Sequence, residues 1–278
     1  MEPEHLENKL LPFALELARR AETEILPLFL NVTAERKADG TEVTEADRRA
    51  EAIMRSHIQA HYPDHAVLGE EQGRSGPEDA RFCWVLDPID GTAGFTIGVP
   101  LFGTLVGLLE DGEPVLGVIH LPGIDETVYA ARGSGCWYRR GKDLPRRVHT
   151  SGCARLDEAV VSSTGIESTD LAAPATGAFP LSAFVQKARK FRFVTDCTQY
   201  ALVARGLIDL AFDPVMSPWD IAALVPCVEE AGGAVASLTT GKREGVVFGG
   251  SLITAATPAL LEEAFDLLEA NGCRYGGS

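Results

Sequence analysis

The sequence is short of the features that mark several protein classes. It has six cysteines, at 83, 136, 153, 197, 227 and 273, and no two lie close together. There is no CxxC and no zinc-like spacing, and Cys83 and Cys197 sit in apolar stretches. That pattern predicts reduced thiols and a cytoplasmic protein rather than a disulfide framework. No apolar run reaches membrane-spanning length, which argues against a membrane protein. The first ten residues, "MEPEHLENKL", lack the basic region of a signal peptide. Positive charge is scarce: 25 Lys and Arg stand against 40 Asp and Glu, a net charge of -15. Basic residues cluster only in short pairs such as Arg139-Arg140 and Arg146-Arg147, so no nucleic-acid partner is expected. Repeats and low-complexity segments are absent too.

What is present is a chain of 278 residues, 45% hydrophobic and 23% charged. That suits one large globular unit or two packed subdomains. Leu6, Leu10, Phe13, Leu17, Ala21, Ile25 and Leu28 recur at helical spacing and predict an amphipathic helix over 5–30. "KADGTEVTEAD" reads as a turn and a helix start capped by Thr44, with Ala46, Ala50, Ile53 and His57 on the buried face. Strands follow at "HAVLGEE" and "FCWVLD". "FGTLVGLLEDGEPVLGVIHLP" reads as a hairpin turning at Asp111-Gly112, and "ETVYAARGSGCWYRRG" as another.

Beyond about residue 150 strands and helices alternate. "AVVSST", "FRFVTD", "LIDLAFD" and "SLITAAT" read as strands, and "CTQYALVARG" and "PALLEEAFDLLEANG" as helices. "SPWDIAALVPCVEEAGG" reads as one helix, with Ser217 as cap, Pro218 in its first turn and Gly232 at its end. Residues 165–180 read as a surface loop. The expected architecture is α/β, an α+β layered enzyme fold. A helix-plus-antiparallel half, 1–148, precedes an α/β half, 149–278.

The chemistry concentrates in acids at element ends: Asp47, Glu70-Glu71, Asp87, Asp90 and Asp220. Each has a plain alternative. Asp47 lies three residues after Thr44, and Asp220 three after Ser217, so both fit a capping box. Glu70 and Glu71 fit a solvated loop. Asp87-Pro88 fits a turn after a strand. Taken together they fit a metal site better. Magnesium takes oxygen ligands, and a pair of ions can clamp a phosphoryl group. In "DPIDGT" Asp87 and Asp90 share one proline-stiffened turn with the Ile89 carbonyl between them. Gly91 and Thr92 then offer backbone N–H groups, and Thr92 a hydroxyl, toward phosphate. The three-residue spacing differs from the D-x-D of aspartyl-phosphate enzymes and favours a metal-activated water. No Cys-x5-Arg loop and no full P-loop are present.

"VTEAD" (43–47), "GEE" (69–71), "DPIDGT" (87–92), "WDIAA" (219–223) and "EEAGG" occur in that order. Across essentially the whole chain the sequence resembles the inositol monophosphatase family of magnesium-dependent, lithium-sensitive phosphatases. The resemblance implies an alternating αβαβα sandwich and two or three Mg2+ ions. Glu70, Asp87 and the Ile89 carbonyl would hold the first ion, and Asp87, Asp90 and Asp220 the second. Glu70 would help with a weak third. Asp47 and Thr92 would orient the attacking water. The amides of Gly91 and Thr92, beside Asp90, would hold phosphate. Asp213, seven residues before Asp220, matches an acidic substrate-binding position.

"KADGTEVTEADRRAE", "GVPLFGTLVGLL", "TDCTQYALVARG" and "DPVMSPWDIAALVP" look most like the histidinol-phosphatase branch. The chain departs from the usual pattern at Thr198 and at Ala93-Gly94. The expected substrate is a small phosphorylated metabolite, histidinol phosphate first, with inositol, sugar or nucleotide phosphates as alternatives. Asp196 and Asp213 are the carboxylates expected to meet its cationic groups. A silent binding protein on the same scaffold is the reading from another class. The expected assembly is a homodimer.

Overall fold

The computed structural model describes residues 5–37, 40, 42–172 and 178–273. Residues 173–177 of the expected 165–180 loop, and parts of "KADGTEVTEAD", lie outside the described residues. A short ribbon pairs β1 (Glu35–Arg36) with β2 (Glu42–Val43). The first large sheet contains β3 (Ala66–Gly69), β4 (Gly73–Ser75), β5 (Phe82–Asp90), β6 (Gly103–Glu110), β7 (Glu113–Leu121), β8 (Glu126–Ala131), β9 (Gly135–Arg140) and β10 (Arg146–Val148). Its order is β10-β9-β8-β7-β6-β5-β3-β4. Every pairing is antiparallel except β3 with β5. The second sheet contains β11 (Val160–Ser163), β12 (Lys190–Phe193), β13 (Leu210–Asp213), β14 (Ala234–Ala236) and β15 (Leu252–Ala255), in the order β12-β11-β13-β15-β14. In it β11 runs parallel to β12 and to β13.

The helices are α1 (Leu11–Ile25), α2 (Glu45–His61), α3 (Thr92–Thr96), α4 (Leu181–Lys187), α5 (Asp196–Ala204), α6 (Pro218–Ile221), α7 (Leu224–Glu230) and α8 (Pro258–Ala270). Strand alternation sends successive side chains to opposite faces of a sheet. Trp84 and Leu86 on β5, and Val106 and Leu108 on β6, meet Ala14, Leu17, Ala50 and Met54 of α1 and α2. Val85, Leu105 and Ile119 face the other way, onto Tyr200 and Val203 of α5 and Val225 and Val228 of α7. The same core reaches Ala211 and Leu252 of the second sheet. That sheet's far face, with Val161, Phe212 and Ile253, packs on Phe184 of α4 and Leu260 and Ala264 of α8. The layers therefore alternate helix, sheet, helix, sheet, helix, as the resemblance implied.

Two local expectations are corrected. Asp87 and Asp90 do not sit on a turn, because β5 continues through both. Asp87 pairs with Leu105 and Asp90 with Gly103, so Pro88 and Ile89 on β5 oppose Thr104 alone on β6, which makes a bulge at Pro88-Ile89. Pro88 has no N–H to give the ladder, and a bulge accommodates that lack. The Pro88 carbonyl instead accepts from Thr104 Oγ1 at 2.9 Å. The turn comes at Gly91, whose φ of 88° lies in the left-handed region.

The helix expected over 217–233 is two short helices, broken at Ala222-Ala223. Pro226 cannot donate to the Ala222 carbonyl, and its ring crowds that group. The break lies flat on the first sheet at Gly107 and Gly117, which pair across β6 and β7. A Cβ at Gly107 would come within 2.8 Å of the Ala222 Cβ, and one at Gly117 would collide with the Ala223 carbonyl oxygen. This close approach carries Asp220 to the end of β5.

Candidate active site

The acids converge at strand ends and helix starts. The parallel pair β3 and β5 ends in Glu70 and in Asp87–Asp90, and β13 ends in Asp213. Carboxyl ends of parallel strands are where layered α/β folds gather ligands. Asp87, Asp90 and Asp220 present oxygens that all lie within 4.8 Å of one another. Glu70, Ile89, Gly91 and Thr92 line the same cavity, of about 390 Å³. A second cavity, of about 170 Å³, adjoins it through Asp90, Asp196 and Asp220 and extends to Asp213 and Glu167. No described Lys or Arg lines either one.

Both capping boxes considered from the sequence exist, and neither removes its acid from the site. Asp47 Oδ2 accepts the Thr44 amide at 2.8 Å and the Thr44 hydroxyl at 2.6 Å. Its other oxygen lies 3.3 Å from Thr92 Oγ1, which also lies 2.8 Å from the Ile89 carbonyl. Asp220 Oδ2 accepts the Ser217 amide at 2.7 Å. Asp90 Oδ2 accepts the Cys197 amide at 2.6 Å, in the first turn of α5. Asp87 Oδ1 is buried and has no hydrogen-bond partner.

Burial, then the neighbouring carboxylates Glu70, Asp90 and Asp220, raises the Asp87 carboxyl well above its usual range. Asp90 is raised likewise, by burial and then by Asp196 and Asp220. Burial pushes Asp220 up to about 7. An orphaned carboxylate oxygen among crowded, under-neutralised acids is a site that fits a hard cation such as a divalent metal ion.

Glu70 differs from the other three. Its carboxylate bonds Lys37 Nζ at 2.8 Å, and Lys37 also bonds Glu71 at 2.7 Å. The Lys37 ammonium is thus a cation already standing beside this edge of the cluster. Burial lowers its pKa, but the two glutamates outweigh burial and raise it. Sequence reasoning missed Lys37, as it missed Glu167.

Asp196 and Asp213, paired in the sequence reading, have different surroundings. Asp213 is saturated: it accepts the Thr164 amide, the Thr164 hydroxyl, Gln199 Nε2 at 2.6 Å and the Tyr200 hydroxyl at 2.9 Å. No described residue donates to the Asp196 carboxylate, which lines both cavities. Asp196 holds a left-handed φ of 46°, uncommon for a residue with a side chain. Its amide is bonded to Thr164 Oγ1 at 3.0 Å. Burial, then Asp213, pushes the Asp196 carboxyl up to about 6.

This fold, with its acid-lined cleft, defines a class of metal-dependent phosphatase, and comparison with known proteins agrees. The profile of the inositol monophosphatase family matches residues 6–271. The chain belongs to that family. It is 37% identical to a histidinol-phosphatase of Chlorobaculum parvum over 88% of this chain and 91% of the relative. It is also 37% identical to a histidinol-phosphatase of Mycobacterium tuberculosis, over 91% of this chain and 95% of the relative. Among solved structures, an inositol monophosphatase from Zymomonas mobilis superposes with a TM-score of 0.81 at 34% identity, covering 95% of this chain and 98% of that one.

Proposed function

We propose that the protein is a magnesium-dependent phosphomonoesterase whose preferred substrate is histidinol phosphate. In this reading Asp87, Asp90, Asp220, Glu70 and the Ile89 carbonyl hold two or three Mg2+ ions. When bound, these ions supply Lewis acidity toward water and toward the phosphoryl oxygens. The chain's own groups orient the reactants. Thr92 has one hydroxyl proton and two acceptors at hand, Ile89 and Asp47, so its lone pair faces outward to accept from the attacking water. Asp47 sits behind Thr92 with one oxygen committed to Thr44, and takes up the proton that the water releases. Gly91 and Thr92 turn their amides toward phosphate, a necessary offset in a cleft lined by acids. A water-oxygen-to-phosphorus bond forms and the ester bond breaks; the leaving alkoxide takes a proton from a solvent water, and the proton held by Asp47 passes to solvent to neutralise the hydroxide left there.

The observation that carries the substrate assignment is the Asp196 carboxylate, which has no partner and faces no base among the described residues. Histidinol phosphate brings an ammonium and an imidazole to that position. The 37% identity to two proteins named histidinol-phosphatase supports the same choice. Inositol 1-phosphate, neutral apart from its phosphate, is the second reading, favoured by the Zymomonas structure. We place the protein in the cytoplasm as a homodimer. Among the described residues no helix is long and apolar enough to cross a membrane.

The test is a panel of phosphomonoesters assayed with Mg2+ and with excess chelator. Activity that survives chelation refutes the metal reading. Equal or better turnover of inositol 1-phosphate refutes the substrate reading and leaves the metal reading standing. Asp196→Ala should raise KM for histidinol phosphate ~30-fold or more, since a buried charge losing its partner costs ~2–5 kcal/mol. The KM for inositol 1-phosphate should change little.

A further inference from the structure

Helix α2 carries a second buried acid, one turn beyond Asp47, that the proposed chemistry does not use. Glu51 has no exposed surface. Its Oε2 accepts the Glu71 amide at 2.7 Å, and its Oε1 accepts the Gln72 amide at 3.0 Å and Arg55 Nε at 2.7 Å. Arg55 in turn donates to the Gly73 carbonyl and, at 2.8 Å, to Ser75 Oγ. The Glu51–Arg55 pair therefore grips the chain after β3 at four points, two on the loop and two on β4. At Gly69, the head of the "GEE" motif, a Cβ would stand 2.6 Å from Glu51 Cδ and 2.7 Å from Arg55 Nη2. Gly69 has no left-handed φ, so the nearness of this pair is what keeps a side chain out.

We propose that Glu51 is a positioning residue for Glu70, setting where that carboxylate meets the metal cluster. The inference rests on Glu70 serving as a metal ligand. Asp87 and Asp90 are fixed by a strand, and Asp220 by the first turn of a helix. Glu70 belongs to a loop, and its N–H donates to the Leu86 carbonyl at 3.2 Å. The next two amides along the chain are the ones Glu51 holds. A buried ion pair adds little net stability compared with apolar packing, and this one instead supplies fixed geometry. Because Asp47 and Glu51 share one rigid helix, the water-orienting acid and the Glu70 loop move as a unit. A purely structural Glu51 would lower the melting temperature and leave metal affinity alone.

The discriminating variant is Glu51→Gln, which keeps the shape but turns an amide NH2 toward a backbone N–H. Mn2+ is the probe, titrated without substrate by calorimetry or paramagnetic resonance. The unmodified protein should bind Mn2+, and Glu51→Gln should bind it ~10–100-fold more weakly, the usual effect of losing a group that holds a ligand. The Glu71 and Gln72 amides should exchange faster in the metal-free variant, and kcat should recover toward the parent value at saturating Mn2+. Gly69→Ala is the second variant, which keeps the test decisive if Glu51→Gln folds poorly. It should weaken Mn2+ binding similarly, and the double variant should lose less than the sum, because both break one contact. Unchanged Mn2+ affinity in a folded variant overturns the proposal. Failure of the unmodified protein to bind Mn2+ overturns the metal reading itself, and this proposal with it.

Discussion

Replacing Asp220 by Asn should stabilise the metal-free protein and destabilise the magnesium-loaded one. The Asp87, Asp90 and Asp220 oxygens lie within 4.8 Å of one another. Two unit charges at that separation repel by ~3–4 kcal/mol at an effective dielectric of ~20. Asp220 is raised by burial first and then by the charges of Glu70 and Asp196, and its partial exposure screens part of the repulsion. Burial holds its carboxyl at about 7 against a usual 3.8. At 1.36 kcal/mol per unit, ionising it in the folded state costs up to ~4 kcal/mol. A screened gain of ~2–4 kcal/mol is therefore expected for Asp220→Asn at pH 8, or roughly 4–8 °C in melting temperature. Asn can still accept from the Ser217 amide, so the helix cap survives.

The sign with pH follows from the raised pKa. Folded Asp220 binds a proton more readily than unfolded Asp220. Its contribution to metal-free stability is present at low pH and is lost as pH rises through about 7. The advantage of the Asn variant should therefore shrink toward pH 5. Added Mg2+ should reverse the order, because the wild type binds the ion and is stabilised by mass action. The assay is thermal or urea melting of both proteins, in chelator and in Mg2+, at pH 5 and pH 8. A variant less stable than wild type in chelator at pH 8, or differing from it with the same sign in both conditions, refutes the argument.

Gly117→Ala should cost more than ~3 kcal/mol and weaken metal binding as well, because the new Cβ would collide with the Ala223 carbonyl and lift α6, with Asp220, off the sheet. Urea melts and Mn2+ titration would show both effects, and a stable variant with unchanged affinity would refute the link between that close approach and the site. No disulfide forms among the described residues. Denatured, unreduced protein should therefore titrate close to six thiols, and a count of four or fewer would contradict it.

The acids proposed as ligands were legible in the sequence because they sit in short, ordered motifs whose local geometry is largely self-determined. The sequence hid what depends on distant chain. "DPID" reads as a turn when the partner strand is unseen, and only the pairing with Gly103–Leu105 shows a bulge. Lys37 drew no reading from the sequence, since the acids it bonds lie 33 and 34 residues away. Glu51 drew no reading from the sequence. Its spacing of four from Asp47 places both on one helix face, and that signal could have exposed it. The break at Ala222-Ala223 was readable from Pro226, but its position followed from the Gly107–Gly117 pair. Asp196 and Asp213 looked equivalent because neither motif reveals the donors on Thr164, Gln199 and Tyr200 that occupy Asp213 alone.

The capping boxes at Asp47 and Asp220 are compatible with the roles proposed for these acids, water orientation for Asp47 and metal ligation for Asp220. An acid three residues into a helix commits one oxygen to the cap and has another to spare. Asp47 spends its spare oxygen toward Thr92, and Asp220 lies against Asp87. A third helix start, at Cys197, donates its amide to Asp90. Three helix starts are thus turned on one group of acids, which is where negative charge is best tolerated. Each such interaction contributes only ~0.3–1 kcal/mol, up to ~2 in a partly buried setting. That is less than the ~3–4 kcal/mol by which a single pair of these carboxylates repels at 4.8 Å. Burial first, and this shortfall after it, keep the Asp87 and Asp90 carboxyls raised despite the helix starts. The shortfall also gives the acids two ways to become fully satisfied: to take up protons, or to take up cations. Near neutral pH, with Asp220 at about 7, the cluster stands between those two states, so proton and metal binding should compete for the same oxygens.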